Sequence, residues 1–208
     1  MFSFLTRKSA STPPGSLALF PLATTLFPGG RLALKVFEQR YLDLAKQRVA
    51  DGEPFGVVTL TAGAEVGAEQ RFAGVGTAVR VASYDVPSAG LFQLDVEGRE
   101  RFEILSTQVE ANGLHRAEVR WLPPEPRLAL PVAYADLARL LEQVIERNGR
   151  EKFSEPIALD DATWVGSRWV EILQVPAAIK QRLLEINDAE LRLKTVRQLL
   201  ARMGALPA

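Results

Sequence analysis

His115 is the only histidine in a chain of 208 residues that has no cysteine at all. A thiol nucleophile, a disulfide, a cysteine-ligated zinc and a histidine-rich metal site are thereby excluded, and any catalytic triad would depend on His115 alone. It stands beside a turn on a strand-like run with charged neighbours, which reads as a surface or partly satisfied histidine. No Gly-x-Ser-x-Gly occurs, so a nucleophile elbow is missing. Gly74-Val75-Gly76 begins like a phosphate loop, but the third glycine of Gly-x-Gly-x-x-Gly would fall at Val79, and the segment that follows reads as strand rather than helix. Asp160 and Asp161 are adjacent carboxylates where a helix should start, and capping with a favourable helix dipole accounts for them. Asp85, Asp95 and Glu97 could meet as acids, yet alternation turns Asp95 and Glu97 to solvent. No metal set or cofactor motif emerges.

The charged and aromatic residues point to binding instead. Arg99 and Arg101 invite a nucleic-acid reading, but Glu97, Glu100 and Glu103 are interleaved with them, whereas phosphate binding wants a net positive stripe. A solvated strand face, or an ion pair with the turn at residues 28–30, suits them better. Trp164 and Trp169 are five apart and so occupy different helix faces. Trp169 falls on an apolar stripe and reads as core; Trp164 is the candidate for an exposed aromatic contact. In Phe37-Glu38-Gln39-Arg40-Tyr41, Glu38 favours a helix N-terminus, Arg40 pairs with a carboxylate and Tyr41 packs.

The elements that hold these residues follow from period and punctuation. Residues 1–15 read as a flexible tail ending in a Ser/Thr/Pro/Gly cluster. Leu17 to Phe20 is a short strand stopped by Pro21. Pro28, Gly29 and Gly30 force a turn. Leu32, Leu34 and Val36 then alternate with Ala33 and Lys35 as a strand with one buried face, and from Glu38 the period becomes helical through Leu42, Ala45 and Val49 to a glycine cap at Gly52. Phe55 to Leu60 is a buried strand, and residues 61–74 read as a loop. Short strands follow at Gly76–Tyr84, Leu91–Val96, Arg101–Ser106 and His115–Trp121, a spacing that suggests a small barrel.

Pro123-Pro124-Glu125-Pro126 marks a boundary between a β-rich part, 16–124, and a helical part, 125–208. Beyond it lies a stripe of Leu137, Leu140, Leu141, Val144 and Ile145, stopped at Asn148-Gly149. A helix capped by Asp160 or Asp161 carries Val165, Trp169, Ile172 and Leu173. The next, opened by Pro176, turns Ile179, Leu183 and Ile186 inward. The last, capped by Asn187 or Asp188, buries Ala189, Leu193, Val196, Leu200 and Met203. The whole is an α+β chain of about six strands with one inserted helix, followed by a four-helix bundle.

Composition is that of an ordinary globular protein, with 25 basic and 25 acidic residues and zero formal net charge. That balance argues against broad attraction to nucleic acid or anionic membrane. No apolar run is long enough for a membrane span, and the N-terminus lacks the order of charge and apolar residues of a secretory signal, so the cytoplasm is the expected location.

Leu19-Phe20-Pro21-Leu22, then Phe27-Pro28-Gly29 and a strand running into Phe37-Glu38-x-Arg40-Tyr41, resembles the opening of the N-terminal substrate-binding domain of Lon proteases. Gly76 to Val81, Val96-Glu97-Gly98 with Arg101-Phe102, and Lys180-Gln181 with Leu183-Leu184-Glu185 and Arg192-Leu193 are similar to later signatures of that family. The resemblance runs from about Leu17 to Met203. It implies a PUA-like pseudobarrel packed on a helical bundle, with a role in recognising protein substrates. The ATPase segment and the Ser–Lys protease dyad of Lon have no counterpart here, so the expectation is a stand-alone, non-catalytic binding module without a cofactor.

The expected ligand is a peptide or unfolded segment, or a protein partner such as a client handed to a separate protease. It would be held by apolar contact in a groove between barrel and helices or along an open sheet edge. Phe37, Glu38, Arg40, Tyr41, Arg101 and Trp164 are the residues expected there. RNA binding by a PUA-like fold and a small ligand held in a barrel are the alternative readings.

Overall fold

The computed structural model describes residues 15–67 and 70–206. The expected tail lies outside them except for Gly15, which opens the first strand. Six strands, β1 (Gly15–Leu22), β2 (Arg31–Val36), β3 (Phe55–Gly63), β4 (Gln70–Ser88), β5 (Leu91–Val109) and β6 (His115–Trp121), form one sheet in the order β2-β5-β4-β3-β1-β6. A further pairing of β5 with β6 closes five of them into a barrel and leaves β2 as a flap on β5. All pairings are antiparallel except β1 with β3.

One long strand makes this closure possible. β5 pairs with β2 over Phe92 to Glu97 and with β6 over Phe102 to Val109. The expected separate strands at 91–96 and 101–106 are therefore one strand that continues through Gly98. Gly98 bonds the turn on both sides, accepting from Gly29 N at 2.8 Å and donating to Gly30 O at 2.8 Å. Any Cβ at position 98 would lie well inside contact distance of Phe27 O, which is why glycine stands there.

The expected loop at 61–74 is also corrected. β3 runs on to Gly63 and β4 starts at Gln70, because Leu60, Ala62 and Gly63 pair with Phe72, Arg71 and Gln70 through two register shifts. Nor does Pro21 stop β1. The strand continues to Leu22 on β3, and Pro21 is tolerated because the pairing with β6 has ended at Ala18, leaving that side free.

α1 (Gln39–Asp51) buries Tyr41, Leu42, Leu44 and Ala45 against the barrel and ends at Gly52 in the left-handed conformation. The helical half comprises α2 (Ala135–Asn148), α3 (Ala162–Ile172), α4 (Ala177–Glu185) and α5 (Ala189–Arg202). Asp161 and Asp188 are the caps, accepting from Thr163 N at 3.0 Å and Leu191 N at 2.9 Å. Two residues expected in the core are outside it: Ile179 and Met203 are 36% and 56% exposed. On α4 the buried neighbours of Ile179 are Lys180 and Gln181, which donate to Glu171 O at 2.7 Å and Val75 O at 3.0 Å. Those acceptors lie on other elements, so a polar face turned inward and an apolar residue turned out.

The barrel and the helices keep separate apolar clusters, with Phe27 of the barrel's turn inserted among the helical side chains. Around it, Glu171 accepts from Phe27 N at 2.8 Å and lies 3.0 Å from Arg168, which donates to Pro28 O at 2.9 Å. Burial pushes the Glu171 carboxyl up, against the pull of Arg168, the Phe27 amide and Lys180. The turn is thus clamped by α3, as charge-assisted bonds to a fixed loop require.

Candidate functional site

A cleft of about 400 Å³ opens beside β2. Every residue from Leu32 to Glu38 borders it, together with Phe20, Leu22, Thr24, Tyr41, Glu65 and Val66. Inward-facing Leu34 and Val36 and outward-facing Ala33 and Lys35 line it alike, so the strand meets the cleft with its edge rather than with one face. The other edge of β2 is taken by β5, and no strand among the described residues pairs with this one. Phe37 and Val66 flank it, 56% and 55% exposed.

The junction residues take three different positions around this cleft. Phe37 presents its ring to solvent at the rim. Tyr41 is buried, stacked on Phe20 with centroids 4.2 Å apart, and its hydroxyl donates to Gln70 Oε1 at 3.3 Å. Burial pushes its phenol pKa up, while the Arg40 charge and the Gln70 bond pull it down. Arg40 is buried too and holds three loops together, donating to Gly113 O at 2.8 Å and Gly67 O at 2.7 Å beside Glu38 at 3.2 Å. It is therefore a strut under the site and not a free cation.

The other two expected residues line a second cleft of about 350 Å³, between barrel and helices. Trp164 is half-buried in its wall, with Arg168 5.8 Å from the ring. Arg101, expected on a solvated strand face or in an ion pair with the turn at residues 28–30, is buried. It donates to Leu184 O at 2.7 Å and Asn187 Oδ1 at 2.8 Å, and lies 3.3 Å from Glu125. Burial lowers its pKa and Glu125 raises it. With its donors committed, Arg101 joins β5 to the α4–α5 connection. The six expected residues thus divide: Phe37, Glu38 and Tyr41 at the first cleft, Arg101 and Trp164 at the second, Arg40 below the first. Phe20, Leu22, Leu34, Val36 and Val66 also line the first cleft and were not among the expected residues. Leu34 and Val36 carried only the signal of alternation, Phe20 and Leu22 stood in the apolar run around Pro21, and Val66 fell in an expected loop.

His115 is buried, not on the surface, with its ring edge-on to Phe72 at 5.2 Å. Burial, and then the nearby Arg40 charge, hold its pKa below the ordinary histidine value. The unfolded chain therefore takes up a proton as pH falls through about 6.5, while the folded chain resists it. Stability should decline below that pH and level off once the folded histidine also protonates. His115→Phe should flatten this limb, as measured by urea midpoints between about pH 7.5 and 5. Among the described residues no group of three or more His, Asp or Glu side chains is placed to hold a metal ion. No described helix is long and apolar enough to cross a membrane.

A closed barrel bearing a helical layer, with an apolar cleft along a strand edge that no described strand pairs with, defines the class: an α+β domain built on a six-stranded mixed sheet. Residues 16–202 match the family model described as ATP-dependent protease La (LON) substrate-binding domain, and the chain belongs to that family. It is 30% identical over 200 residues to the Lon protease of Anaeromyxobacter dehalogenans, covering 91% of this chain and 23% of that protein. It is 29% identical over 198 residues to Lon protease 2 of Myxococcus xanthus, covering 91% and 24%. The chain therefore spans about a quarter of the length of these relatives. Among solved structures, a Lon N-terminal domain protein from Xanthomonas campestris superposes with a TM-score of 0.72 at 34% identity, covering 88% of this chain and 98% of that one. The N-terminal domain of a Mycobacterium avium complex Lon protease shares the fold alone, at a TM-score of 0.59 and 15% identity, with 90% and 98% covered.

Proposed function

We propose that this chain is a non-catalytic polypeptide-binding domain that takes apolar, unfolded segments into the cleft along β2. The observation that carries this reading is the unbroken border from Leu32 to Phe37, an apolar floor beneath a strand edge with an exposed phenylalanine at its rim. Such a surface buries apolar side chains and offers main-chain bonds irrespective of the ligand's exact sequence. The matched family description, a substrate-binding domain, supports the same role. The names of the relatives support its use as the recognition element for a protease, which would receive the bound segment.

Titration with a permanently unfolded protein, such as reduced and alkylated α-lactalbumin, tests this by fluorescence anisotropy at low and high salt. Saturable binding in roughly the micromolar range, little changed by salt, is expected from a small apolar contact. Phe37→Ser should weaken it roughly tenfold through lost apolar burial. Its urea midpoint should stay near that of the parent, because the ring is already exposed in the free protein. Absence of binding, or binding that salt abolishes, would contradict the reading.

A further inference from the structure

Resting on the polypeptide-binding reading, we propose that the ligand binds as an added β-strand on the free edge of β2, in a register set by the backbone groups of Ala33 and Lys35. We further propose that it carries apolar residues at alternate positions, with an acidic residue opposite Lys35.

The ladder itself fixes which backbone groups are free. Gly98 N donates to Gly30 O at 2.8 Å, so Gly30 and Gly98 form a hydrogen-bonded pair. In an antiparallel ladder such pairs alternate with pairs whose N–H and C=O groups point away from each other. The register places Arg31 on Glu97, Leu32 on Val96, Ala33 on Asp95, Leu34 on Leu94, Lys35 on Gln93 and Val36 on Phe92. Leu32, Leu34 and Val36 therefore spend their amide and carbonyl on β5. Arg31, Ala33 and Lys35 turn theirs outward, where no described strand pairs with them.

Side chains then set the chemistry of the occupant. Leu34 and Val36 are buried while Ala33 and Lys35 are exposed. A strand laid alongside would place every second residue over Phe20, Leu22 and Tyr41, which favours apolar groups, and the intervening residues beside Ala33 and Lys35. Lys35 has no ion-pair partner among the described residues, whereas Arg31 lies 3.6 Å from Asp95 and Glu38 lies 3.2 Å from Arg40. An acidic residue in the added strand completes the pattern. A second copy of this chain fits worse: two-fold pairings centred between Ala33 and Lys35 set Lys35 opposite or diagonal to Arg31 or Lys35 of the copy, a like-charge contact. A lysine on an edge strand is a common guard against such self-pairing.

The probe is a synthetic peptide of about eight residues, the length of an ordinary strand, alternating valine with serine and with one central serine replaced by aspartate. Two N-methylated versions block alternate sets of its amides. Blocking the set that faces β2 should lower affinity roughly tenfold or more, and blocking the other set no more than about twofold. In hydrogen exchange, the Ala33 and Lys35 amides should be fast in the free protein and slow in the complex. Ala33→Pro removes an amide that β5 does not use and should abolish peptide binding. Lys35→Glu should reverse a preference for aspartate over lysine at the central position. Equal losses from both methylated peptides, with unfolded-protein binding intact, would overturn strand addition and leave the polypeptide reading standing; loss of both kinds of binding in the parent protein would remove that reading as well. Slow Ala33 and Lys35 exchange in the free protein would also overturn the proposal. Release on dilution would then identify a second copy on the edge, and release on removal of residues 1–14 the chain's own N-terminal segment.

Discussion

Glu125→Ala should destabilise the protein by about 3–5 kcal/mol, the range for removing one partner of a buried ion pair. Glu125 receives both forks of Arg192, at 2.7 and 2.9 Å, and lies 3.3 Å from Arg101. Arg192 is fully buried, with 0% of its side chain exposed. Without the carboxylate, two guanidiniums remain in the interior with no counter-charge. Their other bonds survive, from Arg192 to Leu183 O at 3.2 Å and Ile186 O at 2.6 Å, and from Arg101 to Leu184 O and Asn187. Those carbonyl and amide oxygens carry partial charges and cannot replace a full one. Glu125→Gln should fall between the parent and the alanine variant, because it keeps acceptors and loses the charge. Urea unfolding with an unchanged slope is the measurement, and a midpoint shared by parent and Glu125→Ala would refute the argument.

Phe27→Ala should cost about 3–5 kcal/mol, as for other fully buried phenylalanines, and should also alter how the protein unfolds. Phe27 comes from the barrel's turn yet packs in the helical cluster, with the Arg192 guanidinium 5.5 Å from its ring centroid. We propose that residues 16–124 and 125–208 are two subdomains, and that this ring is a main apolar coupling between them. The parent should unfold in one transition. In the variant, the signal of Trp121 in the barrel should separate from that of Trp164 and Trp169 in the helices, followed in chains that retain one or other set. Coincident transitions at the parental midpoint would show that the coupling lies elsewhere.

Much of this arrangement was legible in the residues. The change from alternation to helical period at Glu38, the cap at Gly52 and the acid caps of α3 and α5 depend on neighbours in sequence, and local patterns report them. What failed depended on distant partners. Residues 61–63 and 70–74, rich in glycine and alanine, become strand because β3 and β4 lie against each other. The expected strands at 91–96 and 101–106 are one, because Gly98 lets it pass beneath a turn. Ile179 fell on an apolar spacing, but Glu171 O and Val75 O drew Lys180 and Gln181 inward. The candidate site shows the same division. Phe37 and Tyr41 come from a junction whose change of period is local, while the fact that β2 ends the strand order follows only from pairing. Arg101 read as a solvated residue or as a partner of the turn at residues 28–30 because its actual partners, Glu125, Leu184 and Asn187, lie in the part expected to be helical, 125–208.

The placement of β1 also governs the order in which the chain can assemble. Its first half pairs with β6, Gly15 on Val119, and its second half with β3. During synthesis the first described strand must wait for the last, since the barrel cannot close until Trp121 has left the ribosome. Contacts so far apart in sequence form slowly, and unpaired strands are the surfaces on which nascent chains associate. Through that interval β1 has the same open character that β2 keeps in the finished fold. A domain that we propose to bind unfolded strands thus passes through a stage at which it resembles its own ligand.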